Sequence, residues 1–261
     1  MDVYWLEQSE ADVPEDGSWL SEGEAVCLSR LRFAKRRGDW RLGRWTAKRA
    51  LAACLKLPSD LAFLASVEIK AALSGAPEVF LFSKKATVNI SLSHRLGTAI
   101  CAVALSGDRL GCDLEMVEPR SDAFVADYFT THEQALVERA SAEDKNLLTA
   151  LIWSGKESGL KALHEGLRLD TRCIEVGPIG VGRVYGLPEQ VSDCQPSLAS
   201  AAQVNGWRQL QVRYEETQVF PGWWRHENHL VRTIVSPVLS DSCPRPLSAE
   251  PIHPLSSTLS A

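Results

Sequence analysis

Asp113 and Glu115, near the middle of the chain, have the residue types and spacing to bind a metal ion. They lie two positions apart in a segment, 109–117, whose pattern predicts a β-strand, so both side chains leave the same face of a sheet. Two adjacent carboxylates repel each other, and a hard divalent cation such as Mg²⁺ or Mn²⁺ would compensate their charge. On this spacing alone, a solvated face of an edge strand is the more common interpretation.

A third acidic residue, Glu157, lies in a segment, 143–164, that is typical of a long amphipathic helix ending near Gly166. Lys161 is one helical turn further on and faces the same way as Glu157. An exposed ion pair is the common interpretation of that spacing. The residues around the pair are mostly apolar, however, and partly buried carboxylates and lysines occur at functional sites more often than exposed ones. Glu157, Lys156 and Lys161 are therefore candidate functional residues.

Positive charge is concentrated in residues 30–49, which carry nine Lys or Arg and one acid, Asp39. This segment sums to +8 within a chain whose formal net charge is −5. Proteins that bind nucleic acids usually spread positive charge over a whole face, so the pattern favours a site for a local anion. A nucleic-acid-binding role for this segment is a further alternative.

Two successive blocks of helix and strands must position these residues. Helices are predicted at 39–57 and from Thr131 onward. Strands are predicted at 87–93, 98–105, 109–117, 207–214 and 230–235. We therefore expect an α+β protein with one half at 1–107 and a second at 108–235. The Pro- and Ser-rich tail, 236–261, is expected to be disordered, so that its deletion would leave thermal stability almost unchanged.

The bulk composition indicates a globular protein of the cytoplasm. Hydrophobic residues make up 45% and charged residues 23%, which excludes disorder for most of the length. The seven cysteines are odd in number and scattered without a CxxC pair, which predicts reduced thiols. No apolar run could span a bilayer and no signal peptide is recognisable. We expect neither membrane nor nucleic acid among the partners.

Two segments, GCDLE at 111–115 and WSGKESGLK at 153–161, together resemble the signature motifs of the Sfp-type 4′-phosphopantetheinyl transferases. The family pattern is G-[IV]-D-[IV]-E, followed by W-[SC]-x-K-E-[SA]-x-x-K, and it is met except that Cys112 replaces an aliphatic residue. Three further segments are similar to family motifs: GRWTAKRAL at 43–51, SLSH at 91–94 and YFTTHEQ at 128–134. Ala76 departs from the pattern, since many members have a lysine there, and this removes a positive charge near the coenzyme.

The resemblance implies two similar α+β halves related by a pseudo-twofold axis, in a monomer. It implies transfer of 4′-phosphopantetheine from coenzyme A to a serine of an apo-acyl or peptidyl carrier protein. Mg²⁺ or Mn²⁺ would be bound by Asp113, Glu115 and Glu157, with Glu157 and Lys161 as catalytic residues. Six residues would bind the coenzyme: Arg44, Lys48, Ser93, His94, Lys156 and Lys161. A non-catalytic module that binds coenzyme A or a nucleotide on the same fold is the alternative.

Overall fold

A computed structural model describes residues 2–165, 169–178, 198, 203–215, 218–237 and 242–248. In these residues the α-helices are α1 (Glu22–Ser29), α2 (Ala34–Leu55), α3 (Leu61–Ala65), α4 (Asp122–Tyr128), α5 (Thr131–Arg139) and α6 (Ala142–Leu163). The strands are β1 (Val3–Ser9), β2 (Val67–Ala71), β3 (Pro77–Leu81), β4 (Lys84–Lys85), β5 (Asn89–Arg95), β6 (Thr98–Ala104), β7 (Gly111–Met116), β8 (Ile174–Pro178), β9 (Arg208–Tyr214), β10 (Gln218–Glu227), β11 (Leu230–Val235) and β12 (Arg245–Pro246). The predicted α+β class is confirmed.

The strands form three sheets, and a long helix packs on each of the two larger ones. The first sheet has the order β12-β1-β6-β5, and α2 packs against its three longer strands. The second has the order β7-β11-β10-β9-β8, with α6 packed on β7, β8 and β11. A small sheet, β2-β3-β4, contacts β5 through β3. Each half of the chain therefore provides one long helix and one main sheet.

Both long helices have 22 residues, and their ends have identifiable causes. The side chain of Ser141 caps α6 by accepting from the N–H of Asp144, and Glu143 and Asp144 favour the positive end of the helix dipole. The helix ends at Leu163 because His164 turns into the left-handed region at φ 62°. The segment predicted at 143–164 thus ends within one residue of the observed helix, and Gly166, predicted to lie near the cap, is outside the described residues.

The two halves share an apolar cluster rather than meeting at a linker. Val3 and Ile100 of the first half pack with Leu114, Trp223 and Ile234 of the second. A bidentate ion pair also joins the halves, since the guanidinium of Arg232 on β11 contacts both oxygens of Glu7 on β1 at 2.5 and 2.7 Å. The division at residue 108 stays a prediction. None of the described helices is long and apolar enough to cross a membrane.

Several strand assignments differ from the predictions, and β2, β3 and β4 were not predicted at all. β1 has no strong apolar alternation and was not predicted, although it lies inside the first sheet. Residues 221–224 were expected to separate strands but form the interior of β10. Proline lacks an N–H and usually interrupts a central strand. Pro221 is tolerated because the ladder between β10 and β11 begins only at Gly222.

The predicted disorder of the tail is wrong for its described part. Arg245 and Pro246 pair in parallel with Tyr4 and Trp5 of β1. The N–H of Leu247 then donates to the carbonyl of Trp5 at 2.8 Å, and its side chain packs against the core under α2. The Pro- and Ser-rich composition does not reveal this pairing, because a short extended segment that completes an open sheet edge needs no apolar pattern of its own.

Deletion of residues 242–261 is expected to lower the free energy of unfolding by about 1–3 kcal/mol, since it removes the Leu247 contacts and the pairing with β1. Deletion of 249–261 is the matched control, because it removes none of these contacts. Urea denaturation of the two truncated proteins measures the difference. Equal midpoints would show that β12 contributes nothing to stability.

Candidate active site

β7 and α6 approach each other so closely that Asp113 reaches the helix. A Cβ added at Gly111 would overlap the carbonyl oxygen of Ser158, so only glycine fits there. This approach brings Asp113 Oδ1 to 2.7 Å from the ammonium of Lys161. The hydroxyl of Ser93 on β5 donates to the same oxygen at 2.8 Å. Asp113 Oδ2 is buried and has no hydrogen-bond partner.

Glu115 lies further along β7, where an indole and two arginines surround its carboxylate. Trp153 Nε1 of α6 donates to Oε1 at 3.2 Å, while Arg120 and Arg95 lie 3.3 and 3.9 Å from Oε2. Burial raises the pKa of Glu115, and the charge of Asp113 raises it further, against the opposing effect of the arginines. The carboxylate is therefore compensated only in part.

Glu157, on α6, lies close enough to feel the charges of Asp113 and Glu115. Burial raises its pKa, Lys161 lowers it, and the charges of Asp113 and Glu115 raise it again. The three carboxylates predicted to act together therefore lie within each other's electrostatic influence. Burial lowers the pKa of Lys161, but Asp113, Cys112 and Glu157 together outweigh burial, so the pKa is raised and the ammonium stays charged.

A cavity of about 350 Å³ opens beside the three carboxylates. Lys161 lines this cavity and also contacts Asp113. Arg44 of α2, Lys70 of β2 and His164 at the end of α6 also line the cavity, as does the turn at 74–77. No Asp or Glu of the described chain is among the lining residues. The cavity is thus suited to an anionic ligand that would extend toward the carboxylates.

Residues 109–211 match the family model of the 4′-phosphopantetheinyl transferase superfamily. This range contains β7 and α6 and therefore all three carboxylates. The chain is also similar to the 4′-phosphopantetheinyl transferase HetI of Nostoc sp., with 25% identity over 211 residues, which cover 78% of this chain and 86% of that protein. Both matches are to 4′-phosphopantetheinyl transferases and support that family for this chain.

Lys156 of this transferase is bound within the core and does not reach the cavity. Its side chain is fully buried, and its ammonium contacts Glu133 at 2.7 Å, the carbonyl of Thr171 at 2.9 Å and the carbonyl of Ile174. These three acceptors use all the donors of an ammonium group. The predicted coenzyme contact is therefore wrong for Lys156.

Lys48 of the transferase has an equivalent environment in the first half. Its fully buried ammonium contacts Glu24 at 2.6 Å and the carbonyls of Trp19 and Leu64 at 2.9 Å each. Burial lowers the pKa of Lys48, and Glu24 opposes that effect. Lys48 is likewise a core residue, and its predicted contact with the coenzyme is wrong.

Of the other four residues predicted to bind the coenzyme, two line the cavity and two do not. Arg44 and Lys161 line the cavity. Ser93 instead binds Asp113, and its neighbour His94 is exposed and lies outside the cavity lining. Ser91, two residues earlier on β5, does line the cavity, and its hydroxyl accepts the N–H of Cys112.

The carboxylates of Asp113, Glu115 and Glu157 have the chemistry to bind a hard divalent cation. Among the described residues, no group of three His, Cys, Asp or Glu side chains has the arrangement of a preformed metal site. The buried, unpaired Oδ2 of Asp113 and the raised pKa values of Glu115 and Glu157 nevertheless indicate a deficit of positive charge. Oxygen ligands of this kind suit Mg²⁺ or Mn²⁺.

Glu24 and Glu133 hold the buried lysines of the transferase and were not predicted as structural partners. Each stands three residues after a helix-capping residue, Ser21 or Thr130, and closes a capping box with it. The pattern S/T-x-x-E is visible in the sequence and predicts a helix start. It does not reveal that the second carboxylate oxygen of each glutamate reaches a strand N–H.

Proposed function

We propose that this transferase moves the 4′-phosphopantetheine arm of coenzyme A onto a serine of an apo-acyl or peptidyl carrier protein, as Sfp-type members do. Lys161 carries the proposal, because it binds Asp113 and also lines the cationic cavity. A coenzyme bound in the cavity would therefore present its pyrophosphate to the carboxylates. We further propose that the protein acts as a cytoplasmic monomer and binds neither nucleic acid nor membranes.

The reaction needs a proton acceptor and neutralisation of phosphate charge. Glu157 accepts the proton of the carrier serine as the serine oxygen attacks the phosphorus that bears pantetheine. The bond from that phosphorus to the bridging oxygen breaks, and adenosine 3′,5′-bisphosphate leaves. Lys161 neutralises the pyrophosphate, an interaction of about 4 kcal/mol at ~4 Å before desolvation is counted. Mg²⁺ or Mn²⁺, held by Asp113, Glu115 and Glu157, would supply further positive charge when bound.

We also propose that the two halves are related by a pseudo-twofold axis. The support lies in matching contacts, since each long helix has 22 residues and a buried lysine that binds the capping-box glutamate of the helix before it. The pairs are Lys48 with Glu24 and Lys156 with Glu133. In both halves the same glutamate accepts a strand N–H. Such agreement in buried polar groups favours a shared ancestral unit.

Incubation with coenzyme A, Mg²⁺ and a panel of apo-carrier proteins tests the proposed activity. Intact mass should show the gain of one phosphopantetheine arm on at least one carrier, and none when its acceptor serine is replaced by alanine. Binding of coenzyme A without transfer to any carrier would instead support the non-catalytic module.

Asp113→Asn is expected to weaken Mn²⁺ binding at least about tenfold, because it removes a charged ligand of the proposed site. Calorimetry on the transferase in the absence of coenzyme measures the affinity. Glu118→Gln is the matched control, since Glu118 pairs with Arg95 and Arg120 at the same rim but is not a proposed ligand. Equal affinities of both variants and the native protein would remove Asp113 from the metal site.

A further inference from the structure

Glu115 shares an arginine with a further carboxylate beside the proposed metal site. The Nη2 atom of Arg120 donates to Oε2 of Glu115 at 3.3 Å and contacts Oε1 of Glu118 at 3.1 Å. Arg95 contacts the same oxygen of Glu118 at 3.0 Å, and its Nε lies 3.9 Å from Oε2 of Glu115. A single guanidinium nitrogen thus links a proposed metal ligand to a glutamate that is not one.

The position of Arg120 does not depend on Glu115 alone. Its guanidinium carbon lies 5.2 Å from the ring centre of Phe124 on α4, and a cation at this distance is attracted to the ring face. Its contact with Glu118 is also shorter than its contact with Glu115. Arg120 can therefore leave Glu115 and remain paired with a carboxylate, so its withdrawal costs little.

Glu115 likewise keeps its orientation without Arg120. The indole N–H of Trp153 donates to Oε1 at 3.2 Å, whereas Arg120 binds Oε2. Trp153 packs against the rings of Phe124 and Tyr128, with ring centres 5.1 and 5.3 Å away. Departure of the guanidinium would therefore free Oε2 for another cation, while the indole holds the carboxylate in place.

The charges of the site give a reason for such an exchange. Four carboxylates and three cations lie together there, and with every group ionised they leave a single net negative charge. The members are Asp113, Glu115, Glu118 and Glu157, with Lys161, Arg95 and Arg120. A divalent cation would therefore reverse the sign of the charge unless one of the three cations moved away.

We propose that Arg120 is an exchangeable counter-ion for Glu115, which neutralises this carboxylate in the ion-free protein and withdraws to Glu118 when a divalent cation binds. The inference rests on the metal site of the proposed function. Arg120 is a positioning residue, since it acts on the ion through Glu115. Its charge lowers the affinity for the free ion, and it also lets the fold hold three carboxylates together while no ion is present.

Calorimetric titration with Mn²⁺ in the absence of coenzyme tests the exchange. Arg120→Gln should bind Mn²⁺ about tenfold more tightly than the native protein, because the positive charge that opposes the ion is gone. Arg120→Lys, which keeps the charge, should bind Mn²⁺ nearly as the native protein does. Glu118→Gln should also stay close to the native affinity, because its amide oxygen still accepts from Arg120.

Arg225→Gln is the matched control for the arginine. The side chain of Arg225 is 26% exposed, against 24% for Arg120. Arg225 also pairs with a glutamate, Glu227, and also lies over an aromatic ring, that of Trp5. Loss of its charge should leave Mn²⁺ binding unchanged, because Glu227 is not a proposed ligand.

Thermal unfolding distinguishes the exchange from a structural role. In a chelating buffer Arg120→Gln should melt below the native protein, because Glu115 has lost a counter-charge. Saturating Mn²⁺ should raise the melting temperature of the variant more than that of the native protein, since stabilisation by a ligand grows with its affinity. An arginine that only held α4 in place would lower the melting temperature equally with and without Mn²⁺.

Three results would overturn the exchange while leaving the metal site intact. They are unchanged or weaker Mn²⁺ binding by Arg120→Gln, an equal loss of melting temperature in both buffers, and failure of the variant to fold even in saturating Mn²⁺. A native protein that does not bind Mn²⁺ would refute the metal site together with the exchange. Transfer to a carrier protein is measured separately and decides neither result.

Discussion

Glu157→Gln is expected to reduce phosphopantetheine transfer at least about a hundredfold, because the amide cannot accept the proton of the carrier serine. The same change should leave the protein as stable as before, or more stable, in the absence of metal. Burial and two neighbouring carboxylates raise the pKa of Glu157, so its charged form is disfavoured in the folded state at neutral pH. The variant would therefore lose activity without losing stability.

Initial rates of transfer to one carrier, read by intact mass, provide the measurement, and thermal unfolding in a chelating buffer provides the comparison. Glu143→Gln is a suitable control, since Glu143 lies on the first turn of the same helix and is exposed. A well-folded Glu157→Gln protein with near-native rates would exclude Glu157 as the proton acceptor.

Lys156→Met is expected to lower the free energy of unfolding by about 3–5 kcal/mol, because it leaves a buried carboxylate without its counter-charge. Glu133 is fully buried and pairs with Lys156 at 2.7 Å. Burial already raises the pKa of Glu133, and the lysine is the main opposing influence. Urea unfolding monitored by tryptophan fluorescence measures the loss.

Lys161→Met separates the roles of the two lysines. Lys161 is partly exposed, so its replacement should cost much less stability but most of the transfer activity.

Combining Lys156→Met with Glu133→Leu should recover part of the lost stability, since the unpaired charge disappears. A Lys156→Met protein with native stability but weakened coenzyme binding would restore the contact predicted from sequence.

The different roles of Lys156 and Lys161 follow from helix geometry. Residues five positions apart leave a helix about 140° apart, so the two lysines cannot both face the cavity. Glu157 and Lys161, one turn apart, do share a face. Helix geometry therefore contradicts the prediction that both lysines bind the coenzyme. It does not reveal that the other face of α6 meets a buried glutamate, because that contact depends on how α5 packs.

Most elements with apolar sequence of their own were predicted, and segments that depend on distant pairing were not. β11 was predicted at its observed bounds and α6 to within one residue at each end, whereas α2 begins five residues before its predicted start. β1 and β12 carry little pattern of their own and are stabilised by each other and by β6. The three acidic residues were proposed from residue type, whereas the place of Lys70 in the cavity lining depends on the path of β2, which no local spacing encodes.

The pairing of β12 with β1 has a consequence for synthesis of the chain. β1 leaves the ribosome long before β12, so one of its edges stays open at Tyr4 and Trp5 until Arg245 and Pro246 have been translated. During that time the open edge can pair with a strand of another nascent molecule. Stalled or prematurely terminated translation should therefore yield chains that aggregate through their N-terminal strand, even though most of their residues are already made.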